Sequence, residues 1–178
     1  MKYAKYCCFF IFIILLTSCG GIQSYVDYDE DLNYENFSSY NFYQDMETGV
    51  DDLEEKRIKS ALKENLASDS IFLKNKNPDF KINFYAEIFQ KDHRHNIGIS
   101  IGTIGRNVSG NIGSGIPIHT TENILSITVE FAHPENNELF WQGISERKLN
   151  LKASPEERKK QLDKMIKKLF KDFPPKGN

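Results

Sequence analysis

The sequence has few cysteines, and all of them lie near its start. They are Cys7, Cys8 and Cys19 in a chain of 178 residues. The rest of the chain therefore offers no thiolate for a catalytic nucleophile, an Fe–S cluster or a cysteine-ligated zinc site, and no disulfide. A chain of this length does not need a disulfide, because folding buries about 68–70% of the surface that the unfolded chain exposes.

The sequence also lacks a clear excess of one charge. It has 23 Lys and Arg residues against 25 Asp and Glu residues, a formal net charge of −2, and the two signs are mixed along the chain. Proteins that bind nucleic acids neutralise phosphates with clustered basic side chains. We therefore expect no nucleic acid among the partners.

One short apolar segment stands at the start of the chain. It spans residues 7–16, follows Lys2 and Lys5, and precedes the small residues 17–18. A positive start, a short apolar core and a small-residue cleavage site are typical of a signal peptide. A transmembrane helix needs about 20 apolar residues, and this segment has about half of that.

The end of this segment, Leu16-Thr17-Ser18-Cys19, resembles the processing site of bacterial lipoproteins. The resemblance implies cleavage between Ser18 and Cys19 and lipidation of the Cys19 thiol with palmitate-type chains. The membrane is then a partner of the chain through that lipid, and two or three acyl chains hold it firmly. We predict a signal peptide at 1–18, a tether at 19–24 and a mature chain of 160 residues with a net charge of −4.

The residues after Cys19 predict where the anchored protein resides. Gly20 replaces the Asp of the usual inner-membrane retention signal, and residues 20–24 carry none of the acidic side chains that export some lipoproteins to the cell surface. We therefore expect an outer-membrane lipoprotein that faces the periplasm.

Residues 25–178 alternate between strand and helix patterns. Period-two alternation predicts strands at 25–29, 40–43, 80–89, 97 onward, 123–132 and 139–145, with a polar turn at 91–96. Capping patterns predict helices that begin at Asp51 and at Ser154-Pro155-Glu156-Glu157. The order β-β-α-β-β-β-β-α predicts one α+β domain, with an antiparallel sheet of five or six strands and two helices packed on one face.

The segment 97–118 is rich in glycine and isoleucine and has two interpretations. The favoured one is a flexible loop or hairpin. The other is a segment that closes over a ligand or contacts a membrane or a partner. It lacks the spacing of a phosphate-binding loop.

The sequence predicts no catalytic, cofactor-binding or metal-binding residue, and no cofactor. His93 and His95 are two residues apart, but His119 and His133 are distant, and a metal site needs three or four placed ligands. The segment 110–115 does not match the nucleophile elbow of hydrolases. We therefore expect a protein that is not an enzyme.

Two further features each have two interpretations. Trp141, the only tryptophan, is expected to pack in the core rather than to stack on a ligand. Asp69-Ser70-Ile71 resembles the O-glycosylation site of some Bacteroidetes envelope proteins, although so short a match arises readily by chance, and the sequence leaves open whether it is glycosylated.

Several short motifs, taken in order, resemble one protein family. They are Tyr25-Val26-Asp27-Tyr28-Asp29, Tyr40-Asn41-Phe42-Tyr43, Arg57-Ile58 with Ala61-Leu62, Pro78-Asp79-Phe80, Leu139-Phe140-Trp141-Gln142-Gly143 and Phe173-Pro174-Pro175. The chain resembles the lipoprotein family of domain of unknown function 4136. The resemblance implies a bacterial envelope lipoprotein of this α+β kind, with no established activity and no catalytic residues to transfer.

Two functions remain open at this point. The first is a non-enzymatic, lipid-anchored envelope protein that acts by binding or structural support of an envelope protein partner. The alternative is an auxiliary lipoprotein subunit of an envelope transport system.

Overall fold

The computed structural model describes the backbone of residues 21–98 and 115–174. It describes the side chains over the same ranges except at 93–98 and 115–120. The predicted element order is confirmed. The strands are β1 (Gln23–Tyr28), β2 (Ser39–Phe42), β3 (Phe72–Leu73), β4 (Phe80–Gly98), β5 (Gly115–Ala132) and β6 (Leu139–Lys148). The helices are α1 (Asp52–Ser68), after β2, and α2 (Pro155–Leu169), after β6. The signal peptide, Cys19 and residues 99–114 lie outside the described residues.

The six strands form one mixed sheet in the order β1-β6-β5-β4-β2-β3. The pairs β1–β6, β6–β5 and β5–β4 are antiparallel, as predicted for the sheet. At the other edge β2 is parallel to both β3 and β4. Parallel neighbours need a crossover connection, and α1 supplies it between β2 and the strands that follow.

Two strands differ from the sequence prediction. Residues 91–96, predicted as a polar turn, continue β4, and the segment predicted as a separate strand from 97 merges into the ends of β4 and β5. β3, only two residues long, was not predicted. Within the described residues, 90–98 of β4 pair only with 115–123 of β5 and form a two-stranded arm about 30 Å long.

Both helices begin at capped residues. The Asp51 carboxylate accepts hydrogen bonds from the Leu53 and Glu54 backbone N–H groups. Ser154 forms a complete capping box with Glu157. Each cap binds backbone N–H groups that the start of a helix leaves without partners. Both predicted helix starts are confirmed.

The core lies between the sheet and the two helices. The buried helix residues are Ile58, Ala61, Leu62 and Leu66 of α1 and Leu162, Met165, Ile166 and Leu169 of α2. They meet alternate residues of the central strands, namely Phe80, Ile82, Phe84 and Ala86 of β4 and Ile127, Val129 and Phe131 of β5. Trp141 is 1% exposed and stacks on Phe131 and Phe170, so its predicted place in the core is confirmed.

Candidate ligand-binding groove

The helices do not cover the whole sheet. The edge strand β1 is left uncovered. Val26 and Tyr28 are 44% and 39% exposed although they lie on the same face of the sheet as the helices. α2 packs over the neighbouring strand β6, where the Ser145 hydroxyl donates to the Met165 carbonyl. β1 therefore forms one wall of an open groove beside the end of α2.

This groove has a volume of about 870 Å³. It is lined by Ser24, Val26 and Tyr28 of β1, Trp141 of β6, and Lys168, Leu169, Lys171, Asp172, Phe173 and Pro174 at the end of α2. Ligand sites commonly have 300–1,000 Å³ and combine apolar walls with a few polar groups, as this groove does.

A glycine lets the end of α2 approach the sheet closely enough to form the second wall. A Cβ atom on Gly143 would lie 2.6 Å from Trp141 Cη2 and 2.7 Å from Leu169 Cδ2. Both distances are shorter than carbon atoms tolerate without a shift. Gly143 therefore sets how Trp141 and Leu169 pack behind the groove.

The polar groups around the groove are mainly hydrogen-bond donors. Trp141 Nε1 is buried and has no hydrogen-bond partner in the described part of the chain. Lys168 and Lys171 are exposed and bring two ammonium groups, and Asp172 brings one carboxylate. Buried polar groups are nearly always hydrogen-bonded, so this indole N–H is unusual for a core side chain.

The backbone of β1 also offers hydrogen bonds. The Asp29 N–H donates to the Phe140 carbonyl of β6 at 2.9 Å. The Tyr28 N–H instead donates to the Asp27 carboxylate at 3.0 Å. Since successive amides point to opposite edges of a strand, the Val26 N–H points away from β6, like that of Tyr28.

A second, smaller cavity of about 370 Å³ lies on the face of the sheet opposite the helices. There Glu130 accepts hydrogen bonds from Asn83 at 2.9 Å and from Gln142 at 3.0 Å. The Tyr43 hydroxyl donates to Asn137 at 2.9 Å, and burial, with the Glu130 charge, raises the pKa of Tyr43. Because these side chains already bind one another, this cavity offers fewer free groups than the groove.

Other ionisable groups with shifted pKa values have structural roles. Burial raises the pKa of Tyr34 to about 12, and its hydroxyl donates to the Phe140 carbonyl at 2.9 Å. Burial also raises the pKa of Tyr40 to about 12. Asp79 is partly buried, yet hydrogen bonds from Ser38 and Ser39 outweigh that burial and lower its pKa. These groups hold elements together within the core and its border.

The part of the chain that the structure describes shows no site formed by the four histidines. The backbone of the arm pairs His93 with Thr120 and Arg94 with His119, while the side chains of His93, His95 and His119 are outside the described part. His133 packs on the Phe140 ring at 4.8 Å between centroids. Over the described residues no group of three or more His, Cys, Asp or Glu side chains is placed to hold a metal ion.

The possible glycosylation site, Asp69-Ser70-Ile71, lies in the turn that follows α1. Ser70 is exposed in the turn after α1 and has a φ of 62°, whereas Ile71 is buried. Glycosylation of Asp69-Ser70-Ile71 remains a prediction.

Sequence reasoning missed the groove, since its lining comes from three separate parts of the chain. The only available signal was the pair Val26 and Tyr28, large side chains on the first predicted strand.

Among the helices that the structure describes, none is long and apolar enough to span a bilayer.

Two solved structures have a similar fold at low sequence identity. A PDZ domain protein from Parabacteroides distasonis is 11% identical with a TM-score of 0.55, and the match covers 94% of this chain and 40% of that one. The PelC dodecamer from Paraburkholderia phytofirmans is 10% identical with a TM-score of 0.50, over 84% of this chain and 95% of that one. The chain thus spans less than half of the PDZ domain protein. None of the curated proteins matches it.

The family comparison covers nearly everything the structure describes. The sequence profile called "Domain of unknown function (DUF4136)" matches residues 24–175, from β1 to the residue after Pro174. That range contains every motif on which the resemblance in the sequence was based. The chain belongs to the DUF4136 family.

Proposed function

We propose that this chain is a non-enzymatic binding protein, anchored by a lipid on Cys19 in the outer membrane and facing the periplasm, and that the groove beside β1 is its binding site. The observation that carries the proposal is the groove itself. It joins exposed apolar side chains and two ammonium groups in one place.

The short tether supports a role close to the membrane. β1 begins at Gln23, four residues after Cys19. Four extended residues span at most about 14 Å. A lipid on Cys19 would therefore keep β1 and its groove near the membrane surface, where envelope partners are concentrated.

A non-enzymatic role is supported by what the ionisable groups do. Several carboxylates and tyrosines with shifted pKa values cap a helix, join strands or fill the core, and Tyr43 in the smaller cavity donates its hydroxyl to Asn137. Catalytic sites usually collect perturbed groups in a cleft. The shifted groups named here are instead spread over the fold and serve its structure.

Membrane fractionation tests the anchor. Cys19→Ala should move the protein from the membrane to the soluble fraction, because no thiol remains for the lipid. Cys8→Ala is the matched control and should stay in the membrane fraction. Retention of Cys19→Ala after normal signal cleavage would contradict the anchor.

Site-specific photo-crosslinking in intact cells tests the groove. A crosslinking side chain at Tyr28 should give a defined adduct, whereas one at Lys63, on the exposed side of α1, should not. Adducts from both positions, or from neither, would contradict a binding role for the groove.

The exposed edge of β1 favours a second candidate, the auxiliary subunit of an envelope transport system. β1 contains no proline, lysine or bulge to prevent pairing with another chain. The similar PelC structure is a dodecamer, so a related fold occurs in an assembly. Co-purification of a stoichiometric transporter complex from native membranes would favour this candidate over the first.

A further inference from the structure

The outer side of α2 carries a row of exposed lysines, which extends just past the end of the helix. This lysine row consists of Lys160, Lys164, Lys167 and Lys171. None of the four forms an ion pair or a side-chain hydrogen bond within the residues that the structure describes. Resting on the lipid anchor of the proposed function, we infer that the lysine row binds the anionic phospholipid surface of the membrane and so fixes how the anchored domain faces it.

The shape of the lysine row suits a flat surface. Its members are four, three and four residues apart, so they lie along one side of the helix over roughly 16 Å. The buried residues of α2 lie on the opposite side, against the sheet. A straight row on the outside of a helix brings all of its ammonium groups to a plane at once.

The acidic side chains near the row do not neutralise it. Residues 159–171 contain six lysines and one acidic residue, Asp163, whose carboxylate is paired with Lys159 at 2.9 Å. The acidic residues of the first turn lie at the capped start of the helix, and Asp172 follows the row at its other end, beside the groove. The solvent side of α2 is therefore positive, although the whole chain is slightly negative.

The sheet presents acidic side chains on the face away from α2. On β1, Val26 and Tyr28 lie on the helix side, so Asp27 between them lies on the opposite face. The same alternation places three more acidic residues of the paired strands on that face, Glu87, Glu130 and Glu146. An anionic surface therefore meets less repulsion on the α2 side than on the opposite face, which favours one orientation of the domain.

The chain enters the domain beside α2. Ser24 of β1 pairs with Ser145 of β6, whose hydroxyl donates to the Met165 carbonyl of α2 at 3.3 Å. The start of β1 thus lies one strand spacing, about 5 Å, from a strand that α2 covers. Four extended residues reach at most about 14 Å, so a lipid on Cys19 would keep the membrane surface within reach of α2. The acidic residues 29–31 follow the other end of β1, roughly 20 Å from its start.

A bilayer fits these features better than a single bound anion does. One phosphate is held by a few groups that converge on it, whereas the lysine row spreads its charges along a line. Each lysine near an anionic bilayer strengthens binding about fivefold. A lipid chain combined with a basic surface is also a common route to stable membrane attachment.

Vesicle binding tests the lysine row without the anchor. The chain from residue 20 onward lacks Cys19 and contains the whole described core. It is mixed with vesicles of phosphatidylcholine, either alone or with one third phosphatidylglycerol, and the bound fraction is measured by sedimentation. We expect binding about tenfold or more stronger to the anionic vesicles. Added salt should remove this difference, because it screens exposed charges.

Two triple variants separate the lysine row from net charge. The first replaces three lysines of the row and should weaken binding to anionic vesicles about tenfold to 100-fold. Its substitutions are Lys160→Gln, Lys164→Gln and Lys167→Gln. The control makes the same change of charge at exposed lysines away from α2 and should bind like the unchanged chain. Its substitutions are Lys74→Gln, Lys76→Gln and Lys91→Gln. Circular dichroism and urea unfolding confirm that each variant folds.

The outcomes distinguish this inference from the proposed function. Equal binding to both kinds of vesicle, or an equal loss in both triple variants, would overturn the inference, while release by Cys19→Ala and crosslinks from Tyr28 would still support the proposed function. Retention of Cys19→Ala in membranes, together with vesicle binding that needs the row, would support the row and contradict the anchor.

Crosslinking in intact cells tests which occupant the row has. A photo-crosslinking side chain at Lys164 should give adducts with phospholipid. A defined protein adduct in their place would show that a protein covers the row, and would overturn the inference.

Discussion

At the scale of single residues, Gly143 determines how closely α2 packs on the sheet. A methyl group there would meet Trp141 and Leu169 at less than 3 Å. Gly143→Ala should therefore lower the free energy of unfolding by about 1–3 kcal/mol, as overpacked cores do. Urea unfolding followed by tryptophan fluorescence measures it. Gly21→Ala is the control, because no atom lies within 4 Å of its Cβ, and equal stability of the two variants would contradict the packing argument.

Asp79 is a second residue whose role depends on atoms far away in sequence. Its Oδ2 atom accepts hydrogen bonds from the backbone N–H groups and hydroxyls of Ser38 and Ser39, at 2.9–3.0 Å. Burial alone would raise the pKa of this carboxyl, but the four donors outweigh burial and lower it. The ionised form therefore stabilises the link between β2 and the start of β4.

The pH dependence of this link follows from the lowered pKa. The stabilisation is present above the unfolded pKa of about 3.9 and is lost as the pH falls through the lower pKa of the folded state. Asp79→Asn should cost about 1–3 kcal/mol at pH 7 and progressively less below about pH 4. Urea unfolding between pH 7 and pH 3 measures this, with the exposed Glu135→Gln as control. A constant difference across that range would contradict the argument.

At the scale of elements, the two helices are fixed by buried stripes. Leu62 of α1 and Ile166 of α2 are completely buried between helix and sheet. Leu62→Ala and Ile166→Ala should each cost about 2–5 kcal/mol in unfolding free energy, since each leaves a cavity. The exposed neighbours Lys63→Ala and Lys167→Ala should change little. Calorimetry or denaturant unfolding compares them, and similar small losses for all four would refute helix-on-sheet packing.

The sequence was most informative about elements with a clear local pattern. α2 was predicted from its capping box and its apolar stripe, both of which lie within a few turns of chain. β3 was not predicted because a strand of two residues is too short to show the alternating pattern of apolar and polar side chains. The extension of β4 beyond residue 90 was missed because residues 91–96 are a polar run without the period-two alternation that predicts a strand.

The groove could not be predicted because its parts meet only after folding. Val26, Trp141 and Lys171 come from the first strand, the last strand and the chain after the last helix. The net charge also concealed the row of lysines on α2, since acidic residues elsewhere balance it. By contrast, the lipoprotein processing site is a local motif, and the sequence alone predicts Cys19 as its lipidated residue.

At the scale of the whole molecule, the described residues place the exposed β1 edge at one side of the sheet and the β4–β5 arm at one end. The arm extends about 30 Å beyond the last residue paired with β6. If a lipid on Cys19 anchors the chain within about 14 Å of β1, the arm reaches partners well beyond the body of the domain. Membrane-proximal and distal contacts are thus available to the same domain.

The position of β1 in the sheet also has a consequence for how the chain matures. Within the described part of the chain β1 pairs only with β6, and the hydroxyl of Tyr34, shortly after β1, donates to the Phe140 carbonyl, 106 residues later. Closing so long a loop carries a large entropic cost and is typically a late event. If the chain is exported from its N-terminus, the first strand must wait until the last one has crossed the membrane. If Cys19 is lipidated on export, the chain is attached to the bilayer before its sheet can be completed, and folding finishes at the membrane surface.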